Sequence, residues 1–177
     1  MQDALTPSTH DTTRIDDTRI GAVRPLITPA LLQEWQPAPD AAQDLVETSR
    51  AAISRVLHGA ADRLVVVVGP CSIHDHDEAL DYARRLKAEA DRHAAELLVV
   101  MRVYFEKPRT TVGWKGYIND PHRDGSCAIN EGLQMARRLL LDVLAIGLPV
   151  GCEFLDLLSP QFISDLVSWG AIGARTT

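Results

Sequence analysis

Continuous aliphatic runs alternate with helical stripes along most of this chain. The run at 64–68 reads LVVVV, and similar runs begin at Leu97 and Val150. Because every position in such a run is apolar, the run is typical of a strand buried on both faces of a parallel sheet. The pattern predicts strands at residues 64–68, 97–103 and 150–155, and a fourth at 171–174.

Between these runs, apolar residues recur every three or four positions, which is the spacing of one helix face. Asp40 followed by Gln43 resembles a capping box for the first helix. Asp75 or Asp77 begins the second helix, and Ser126 caps the third. The three stripes are Ala42, Val46, Ser49, Ile53 and Leu57, then Ala79, Ala83, Leu86 and Ala90, then Ile129, Leu133, Ala136, Leu140 and Val143.

The order of these elements indicates the fold class. A short fourth helix opens at Ser159 and Pro160, and Trp169 with Gly170 closes it before the last strand. Strands that alternate with helices at this spacing predict an α/β fold with parallel strands. In such folds the loops after the carboxyl ends of the strands form the binding face.

The chain before the first strand divides into two parts. Residues 1–16 are polar and rich in Thr, Ser and Asp, so we expect a mobile arm. Residues 17–60 form an extension with one helix. Between Ile20 and Pro39 the apolar residues are interrupted by prolines, which suits a segment laid over another surface, and a partner subunit could supply that surface.

Composition narrows the class of protein. The chain has 177 residues, of which 46% are hydrophobic, enough for one packed domain. A net charge of −6 argues against nucleic acid or a membrane as the main partner. Its three cysteines form no CxxC pair. No run approaches the ~20 apolar residues of a membrane span, and the first residues, with Asp3 and no apolar core segment, do not resemble a signal peptide. We therefore expect a cytoplasmic protein.

A cationic stretch follows the second strand, in residues 101–116 of an otherwise acidic chain. Its four cations are Arg102, Lys107, Arg109 and Lys115. Fixed positive charges at one end of a strand are suited to holding phosphate or carboxylate. Pro108 stiffens the loop between two of the cations, which a solvated charge run would not need. A solvated run nevertheless remains the alternative interpretation.

Two further strands end in residues with binding chemistry. Cys71 follows the first strand in GPCSIHD, where its thiolate could bind a transition metal or act as a nucleophile, or else be an inert core residue. Arg175 ends the fourth strand as Arg102 ends the second, and both could surround one phosphate together with Lys107. The alternative is that each arginine pairs with a carboxylate such as Glu153.

Other candidate chemistry is weaker. His74 and His76 could add to a metal site, but histidines beside aspartates are usually hydrogen-bonded surface residues. Arg109 with Thr110 could hold a second phosphate. The chain has no Walker-type glycine loop, no GxGxxG and no HExxH, which disfavours nucleotide-dependent and zincin chemistry.

Several long motifs match one enzyme family. GPCSIHD, MRVYFEKPRTTVGWKG, INDPH, GCEFLD and SWGAIGARTT resemble the type I DAHP synthases, from about Asp16 to the last residue. The resemblance implies condensation of phosphoenolpyruvate with erythrose 4-phosphate in the shikimate pathway of aromatic amino acid biosynthesis. It also implies a (β/α)8 barrel with an N-terminal extension, and a divalent metal such as Mn, Fe, Co or Zn.

The resemblance assigns roles to individual residues. Cys71 becomes a metal ligand, and Arg102 with Arg175 binds phosphoenolpyruvate. In the substrate pocket, Lys107 acts as the catalytic residue, and the side chains that reach erythrose phosphate are Lys107, Arg109 and Thr110. Positions that match the family's site for an aromatic amino acid effector are Asp17, Ile20, Pro160 and Gln161. Members of the family assemble as homo-oligomers.

Length is the main departure from the family. A full barrel takes ~250 residues, so residues 61–177 are expected to form about four β/α units, truncated after the fourth strand. The remaining metal ligands would lie in the absent half, and the isolated chain would be inactive. Two alternatives are a Schiff-base aldolase with Lys107 or Lys115 as nucleophile, and a non-catalytic fragment for regulation or subunit interaction.

Overall fold

The computed structural model describes residues 23–107 and 113–173, which contain a four-stranded parallel sheet. The strands are β1 (Leu64–Val68), β2 (Leu97–Arg102), β3 (Val150–Phe154) and β4 (Trp169–Ile172), and they lie side by side in chain order. In register, Val68 pairs with Met101, Met101 with Val150 and Gly151 with Trp169. The parallel α/β fold predicted from the aliphatic runs is confirmed, and all four carboxyl ends lie at one edge.

Five helices accompany the sheet within the described part of the chain. They are α1 (Pro29–Trp35), α2 (Asp40–Leu57), α3 (His76–Arg92), α4 (Ile129–Ala145) and α5 (Ser159–Ile163), and a 3-10 turn at Ser164–Leu166 follows α5. Helices α3 and α4 connect consecutive strands, as crossovers between parallel strands require. Most of the apolar stripes predicted for α2, α3 and α4 lie on the faces that these helices bury, but Leu57 at the end of α2 and Ile129 at the start of α4 are exposed.

The fourth strand begins earlier than the sequence pattern predicted. Trp169 and Gly170 were expected to close a helix, but both belong to β4. A Cβ atom on Gly170 would lie 2.7 Å from the ring of Phe154 on β3. Glycine is needed at this position because an aromatic ring packs against the strand backbone. The sequence pattern alone does not distinguish such a glycine from one that ends a helix.

The extension contains two helices where one was predicted. Helix α1 has seven residues, too few for a visible periodicity, and it begins with Pro29 after Thr28, whose hydroxyl accepts a hydrogen bond from the Leu31 N–H at 3.2 Å. Leu32 on this helix is fully buried. The Gln36 carbonyl accepts a hydrogen bond from Arg137 Nε at 2.8 Å. The chain's own helices thus bury Leu32 of the extension, whereas Val23, Leu26 and Trp35 remain exposed.

Two predicted helix caps differ from the structure. Gln43 donates its amide to the Ala38 carbonyl at 2.8 Å, and α2 begins after Pro39 with no side-chain cap. Helix α4 begins after Ala128, also uncapped, because Ser126 donates its own N–H to Asp124 in the preceding turn. The cap of α3 is confirmed, since Asp75 Oδ1 accepts a hydrogen bond from the Glu78 N–H at 2.9 Å.

A buried arginine joins α4 to the elements that lie over it. Arg137 is 1% exposed and binds both carboxylate oxygens of Asp165, at 2.7 and 2.8 Å. It also donates to the Phe162 carbonyl at 2.9 Å. A buried guanidinium is tolerated only when its donors are satisfied, so this residue fixes α1, α4 and α5 relative to one another.

The two outer strands carry exposed apolar side chains. Leu64 on β1 is 68% exposed and Ile172 on β4 is 80% exposed. Within residues 23–107 and 113–173, neither outer edge pairs with a further strand. Parallel sheets are normally covered on both faces.

None of the described helices is long and apolar enough to cross a membrane.

Candidate functional site

The loops after β1 and β2 lie against each other at the carboxyl edge of the sheet. A Cβ atom on Gly69 would lie 2.4 Å from the Arg102 carbonyl oxygen, so only glycine allows this approach. Four residues later, the Ile73 N–H donates to the Tyr104 carbonyl at 2.9 Å. Backbone contacts therefore bring the segment around Cys71 next to the end of β2.

Three of the predicted site residues converge there. Lys107 Nζ donates to the Cys71 carbonyl at 3.3 Å and lies 3.5 Å from Cys71 Sγ. Arg102 donates through Nη1 to the Pro70 carbonyl at 3.2 Å. Cys71 is exposed, which contradicts the alternative of an inert core residue. A thiol and two cationic groups thus share one small region beyond the strand ends.

Arg102 has the surroundings of an anion-binding residue. Its guanidinium lies 4.0 Å from the centre of the Tyr104 ring, and the residue is half-buried. In the described part of the chain it forms no ion pair with a carboxylate, Glu153 included, which was the alternative prediction. The stacked ring fixes the guanidinium plane while leaving donors for a ligand.

The cationic loop has a rigid stem, formed by residues 105–107 and 115–117. Glu106 and Gly116 form an antiparallel bridge, and the Lys107 N–H donates to the Lys115 carbonyl at 3.2 Å. Gly116 has φ +107°, and a Cβ there would lie 2.2 Å from the Phe105 carbonyl oxygen. The stem therefore holds the backbone of Lys107 in one position. Arg109, Thr110 and Arg175 lie outside the described residues.

A buried carboxyl group adjoins the stem, and it was not among the site residues predicted from the sequence. Glu106 is 8% exposed and accepts a hydrogen bond from Ser159 Oγ at 3.3 Å. Burial, and secondly the nearby Asp156 carboxylate, raise the pKa of Glu106 to about 7. The sequence contains one indication of this burial. Glu106 directly follows the apolar VYF run, where a solvent-exposed residue is not expected.

Asp156 keeps its charge beside Glu106. Burial alone would raise the pKa of Asp156, but hydrogen bonds from the Ser159 and Leu158 N–H groups and from Glu106 outweigh burial and lower it. Both backbone donors lie 2.7 Å from Asp156 Oδ1. Cys152, on β3, also faces Glu106, and burial raises the pKa of its thiol. Cys152 is buried in the core, whereas Cys127 is exposed.

The histidines near Cys71 have other partners. His74 pairs with Glu78 and His76 pairs with Asp142, both at 3.2 Å, which favours the surface interpretation. No group of three His, Cys, Asp or Glu residues that could hold a metal ion occurs in the described ranges. Cys71 by itself is one donor and does not make a metal site.

Two of the four predicted effector positions are described. Pro160 lies in the first turn of α5, and the neighbouring Gln161 accepts a hydrogen bond from Gln33 of α1 at 3.4 Å. Asp17 and Ile20 lie outside the described residues. The extension and α5 are therefore in contact.

Comparison with solved structures confirms the fold. The structure of phospho-2-dehydro-3-deoxyheptonate aldolase from Francisella tularensis SCHU S4 matches with a TM-score of 0.85 and 49% identity, over 88% of this chain and 46% of that one. The predicted N-terminal part of a (β/α)8 barrel is thus confirmed as the fold class. The four strands and their helices correspond to about half of that chain.

Relatives found by sequence carry the same enzyme name as the matched structure. The phospho-2-dehydro-3-deoxyheptonate aldolase of Amycolatopsis methanolica is 60% identical over 92% of this chain and 80% of its own length. The Phe-sensitive one of Escherichia coli K12 is 57% identical over 92% of this chain and 46% of its own. The tyrosine-inhibited one of Schizosaccharomyces pombe is 50% identical over 100% of this chain and 48% of its own. Relative to these last two, the chain spans about half their length.

The sequence profile of one family covers most of the chain. It matches residues 38–177, which include both strand-end loops described above as well as Glu106 and Asp156. On this match, and on identities of 50–60% to the three relatives, the chain belongs to the DAHP synthetase I family.

Proposed function

We propose that this chain supplies the phosphate-binding half of a DAHP synthase, which condenses phosphoenolpyruvate with erythrose 4-phosphate to form 3-deoxy-D-arabino-heptulosonate 7-phosphate and inorganic phosphate. The observation that carries the proposal is the convergence of Cys71, Arg102 and Lys107 at the carboxyl ends of β1 and β2. Its relatives are named for this chemistry, but the chain spans about half the length of most of them.

The charges suit the proposed substrates. Both are anionic, so bringing them together requires cations that are fixed before the substrates arrive. Arg102, held over Tyr104, binds phosphoenolpyruvate through a planar pair of donors. Lys107 reaches the space between the two loops, where its ammonium group stabilises the oxygen that gains charge as the carbon–carbon bond forms.

Three further residues complete the proposed pocket. Arg175 joins Arg102 on phosphoenolpyruvate, and Arg109 with Thr110 binds the phosphate of the sugar. Their support is the resemblance of KPRTT and GARTT to the family motifs. Arg109 and Thr110 follow the rigid stem directly along the chain, and Arg175 follows β4, which is parallel to β2 in the same sheet.

The proposed reaction includes a divalent metal ion, which acts as a Lewis acid when bound. The exposed Cys71 thiol is a soft donor of the kind that suits zinc and iron in proteins. One thiol does not hold such an ion, so the described residues do not fit it without further ligands. We therefore propose Cys71 as one of several ligands that the metal ion would need.

Regulation and assembly belong to the same proposal. Some relatives are named Phe-sensitive, Trp-sensitive or tyrosine-inhibited. We place an aromatic amino acid effector at Asp17, Ile20, Pro160 and Gln161, supported by the contact between the extension and α5. We further propose a homo-oligomer in the cytoplasm, which agrees with three free cysteines in the described residues.

A chimeric protein tests the activity. Residues 1–177 are fused to the carboxyl-terminal remainder of the Phe-sensitive E. coli relative, which is 57% identical over the shared part. We call this the joined protein. With both substrates and Mn²⁺ it should form the heptulosonate product, and Lys107→Ala should reduce the rate at least 100-fold. A folded joined protein without activity would contradict the proposal.

A further inference from the structure

The buried side chain of Glu106 connects two loops of the binding face. Its backbone lies in the loop after β2, while Ser159 Oγ, 3.3 Å from Glu106 Oε2, lies in the segment after β3. Its carboxyl group is also in hydrogen-bonding contact with the carboxylate of Asp156 in that segment. The residue directly after it along the chain is Lys107.

The loop stem is thus fixed from two sides. On one side, Glu106 bridges the backbone of Gly116, which cannot carry a side chain without displacing Phe105 or Glu106. On the other side, the Glu106 side chain is held by Asp156, whose oxygen is itself fixed by two backbone N–H groups. Together, these two contacts set the direction in which the backbone continues from Glu106 to Lys107.

We propose that Glu106 is a positioning residue whose side chain, bound to Asp156 and Ser159, holds the backbone of Lys107 so that its ammonium group lies beside Cys71. Lys107 Nζ lies 3.3 Å from the Cys71 carbonyl oxygen and 3.5 Å from its sulfur. That this position of Lys107 promotes catalysis rests on the proposed function. The position itself is a separate claim and does not depend on that function.

This contact requires one shared proton. Two carboxyl groups can hydrogen-bond to each other only while one of them is protonated. Asp156 retains its charge because backbone N–H groups stabilise it, so the proton stays on Glu106, whose pKa of about 7 reflects burial first and Asp156 second. Among the described residues, the Cys152 thiol also faces Glu106, and it remains neutral because burial raises its pKa.

Loss of that proton should release Lys107. Above about pH 7, the buried Glu106 carboxylate faces the charged, more exposed Asp156 carboxylate and the two repel, so the contact between the two loops breaks. Glutamine at position 106 keeps the size of the side chain and a neutral donor toward Asp156, and its carbonyl still accepts from Ser159. Glu106→Gln therefore preserves the contact and removes its dependence on pH.

Steady-state kinetics of the joined protein test the catalytic part. Between pH 6 and pH 8.5, the KM of wild type for erythrose 4-phosphate should rise at least threefold more than the KM of Glu106→Gln does over the same range. Glu106→Ala should raise KM at least tenfold at every pH while changing kcat less. The matched control is Glu89→Gln, an exposed carboxylate paired with Arg92 on α3. If Glu106→Gln keeps the wild-type pH profile, the inference is wrong.

A chemical cross-link gives a readout that needs no activity. A short reagent with one maleimide and one succinimidyl ester should join the Cys71 thiol to the Lys107 amine, and peptide mass spectrometry measures the yield. The yield should fall at least fivefold in Glu106→Ala relative to Glu89→Gln, and stay unchanged in Glu106→Gln. An unchanged yield in Glu106→Ala overturns the inference, whereas an inactive joined protein with the expected yields overturns only the proposed function.

Discussion

The Lys107 ammonium group lies 3.5 Å from the sulfur of Cys71, although 36 residues separate the two along the chain. The contact arises because parallel strands β1 and β2 end at the same edge, so that the loop after each strand meets the other. Gly69 permits the approach and the stem bridge between Glu106 and Gly116 maintains it. The candidate site therefore depends on loop backbone geometry as much as on the side chains themselves.

Replacing Arg102 tests the proposed binding of phosphoenolpyruvate. Loss of a charge-assisted hydrogen bond of about 2–3 kcal/mol corresponds to a rise in KM of roughly 30- to 150-fold for Arg102→Ala. Arg102→Lys should recover part of this, because an ammonium group keeps the charge but not the planar donor pair or the stacking on Tyr104. The measurement is the KM for phosphoenolpyruvate in the joined protein.

Arg92→Ala is the control for Arg102, since it removes an exposed arginine from α3. It should leave KM within twofold of wild type. Equal KM values for Arg102→Ala and Arg92→Ala would show that Arg102 does not bind the substrate.

Gly116→Ala tests the role of the stem. The new methyl group would lie 2.2 Å from the Phe105 carbonyl oxygen and 2.7 Å from Glu106 Cα, so the bridge must open. We expect kcat/KM to fall at least tenfold, because Lys107 moves with the stem. Gly125→Ala introduces the same methyl group at a φ of +76°, with nothing within 4 Å, and so separates backbone strain from steric overlap. Similar activity in the two variants would contradict the proposed stem.

Arg137 should be more important for stability than its exposed neighbour Arg138. Arg137→Met removes the bonds to Asp165 and leaves the Gln36 and Phe162 carbonyls without their donor. Unsatisfied buried partners of this kind cost about 2–4 kcal/mol of unfolding free energy.

Arg138→Met is the matched control, because Arg138 is 65% exposed and pairs with Asp142 at the surface. Its expected cost is at most about 0.5 kcal/mol. Urea denaturation of the joined protein measures both variants, and equal midpoints would show that the buried arginine does not anchor the extension.

Stability should depend on pH through Glu106. Its pKa is raised from 4.5 to about 7 in the folded protein, so the folded state holds a proton that the unfolded chain releases. The stabilisation from this group is present at low pH and is lost as the pH rises through 7. Relative to Glu106→Gln, wild type should lose about 2–3 kcal/mol between pH 5 and pH 8. A constant difference between the two proteins would indicate that Glu106 is not protonated in the folded state.

Much of the fold was readable from the sequence because its strands are continuous aliphatic runs. The runs beginning at Leu64, Leu97 and Val150 became β1, β2 and β3 within one residue of the predicted bounds. Helix α1 was missed because seven residues show no periodicity. Gly170 was misread because its reason for being glycine is the ring of Phe154, a residue from another strand.

The site was predicted only in part for a similar reason. Cys71, Arg102 and Lys107 were expected at one edge because strand ends in a parallel sheet meet there, and the structure places all three together. The pairing of Glu106 with Asp156 could not be predicted, because 50 residues separate them and neither belongs to a recognisable motif of acid pairs. Such pairs are visible only when burial and distance are known.

Alkylation of Cys71 in the joined protein tests the central claim most directly. After metal removal with a chelator, iodoacetamide labelling is followed by peptide mass spectrometry with and without phosphoenolpyruvate. Cys127, which is also exposed, is the control within the same molecule, and Cys152 is buried. If the thiol and the cations share one anion site, phosphoenolpyruvate should slow labelling of Cys71 at least fivefold and leave Cys127 unchanged. Equal rates at Cys71 with and without phosphoenolpyruvate would contradict the account.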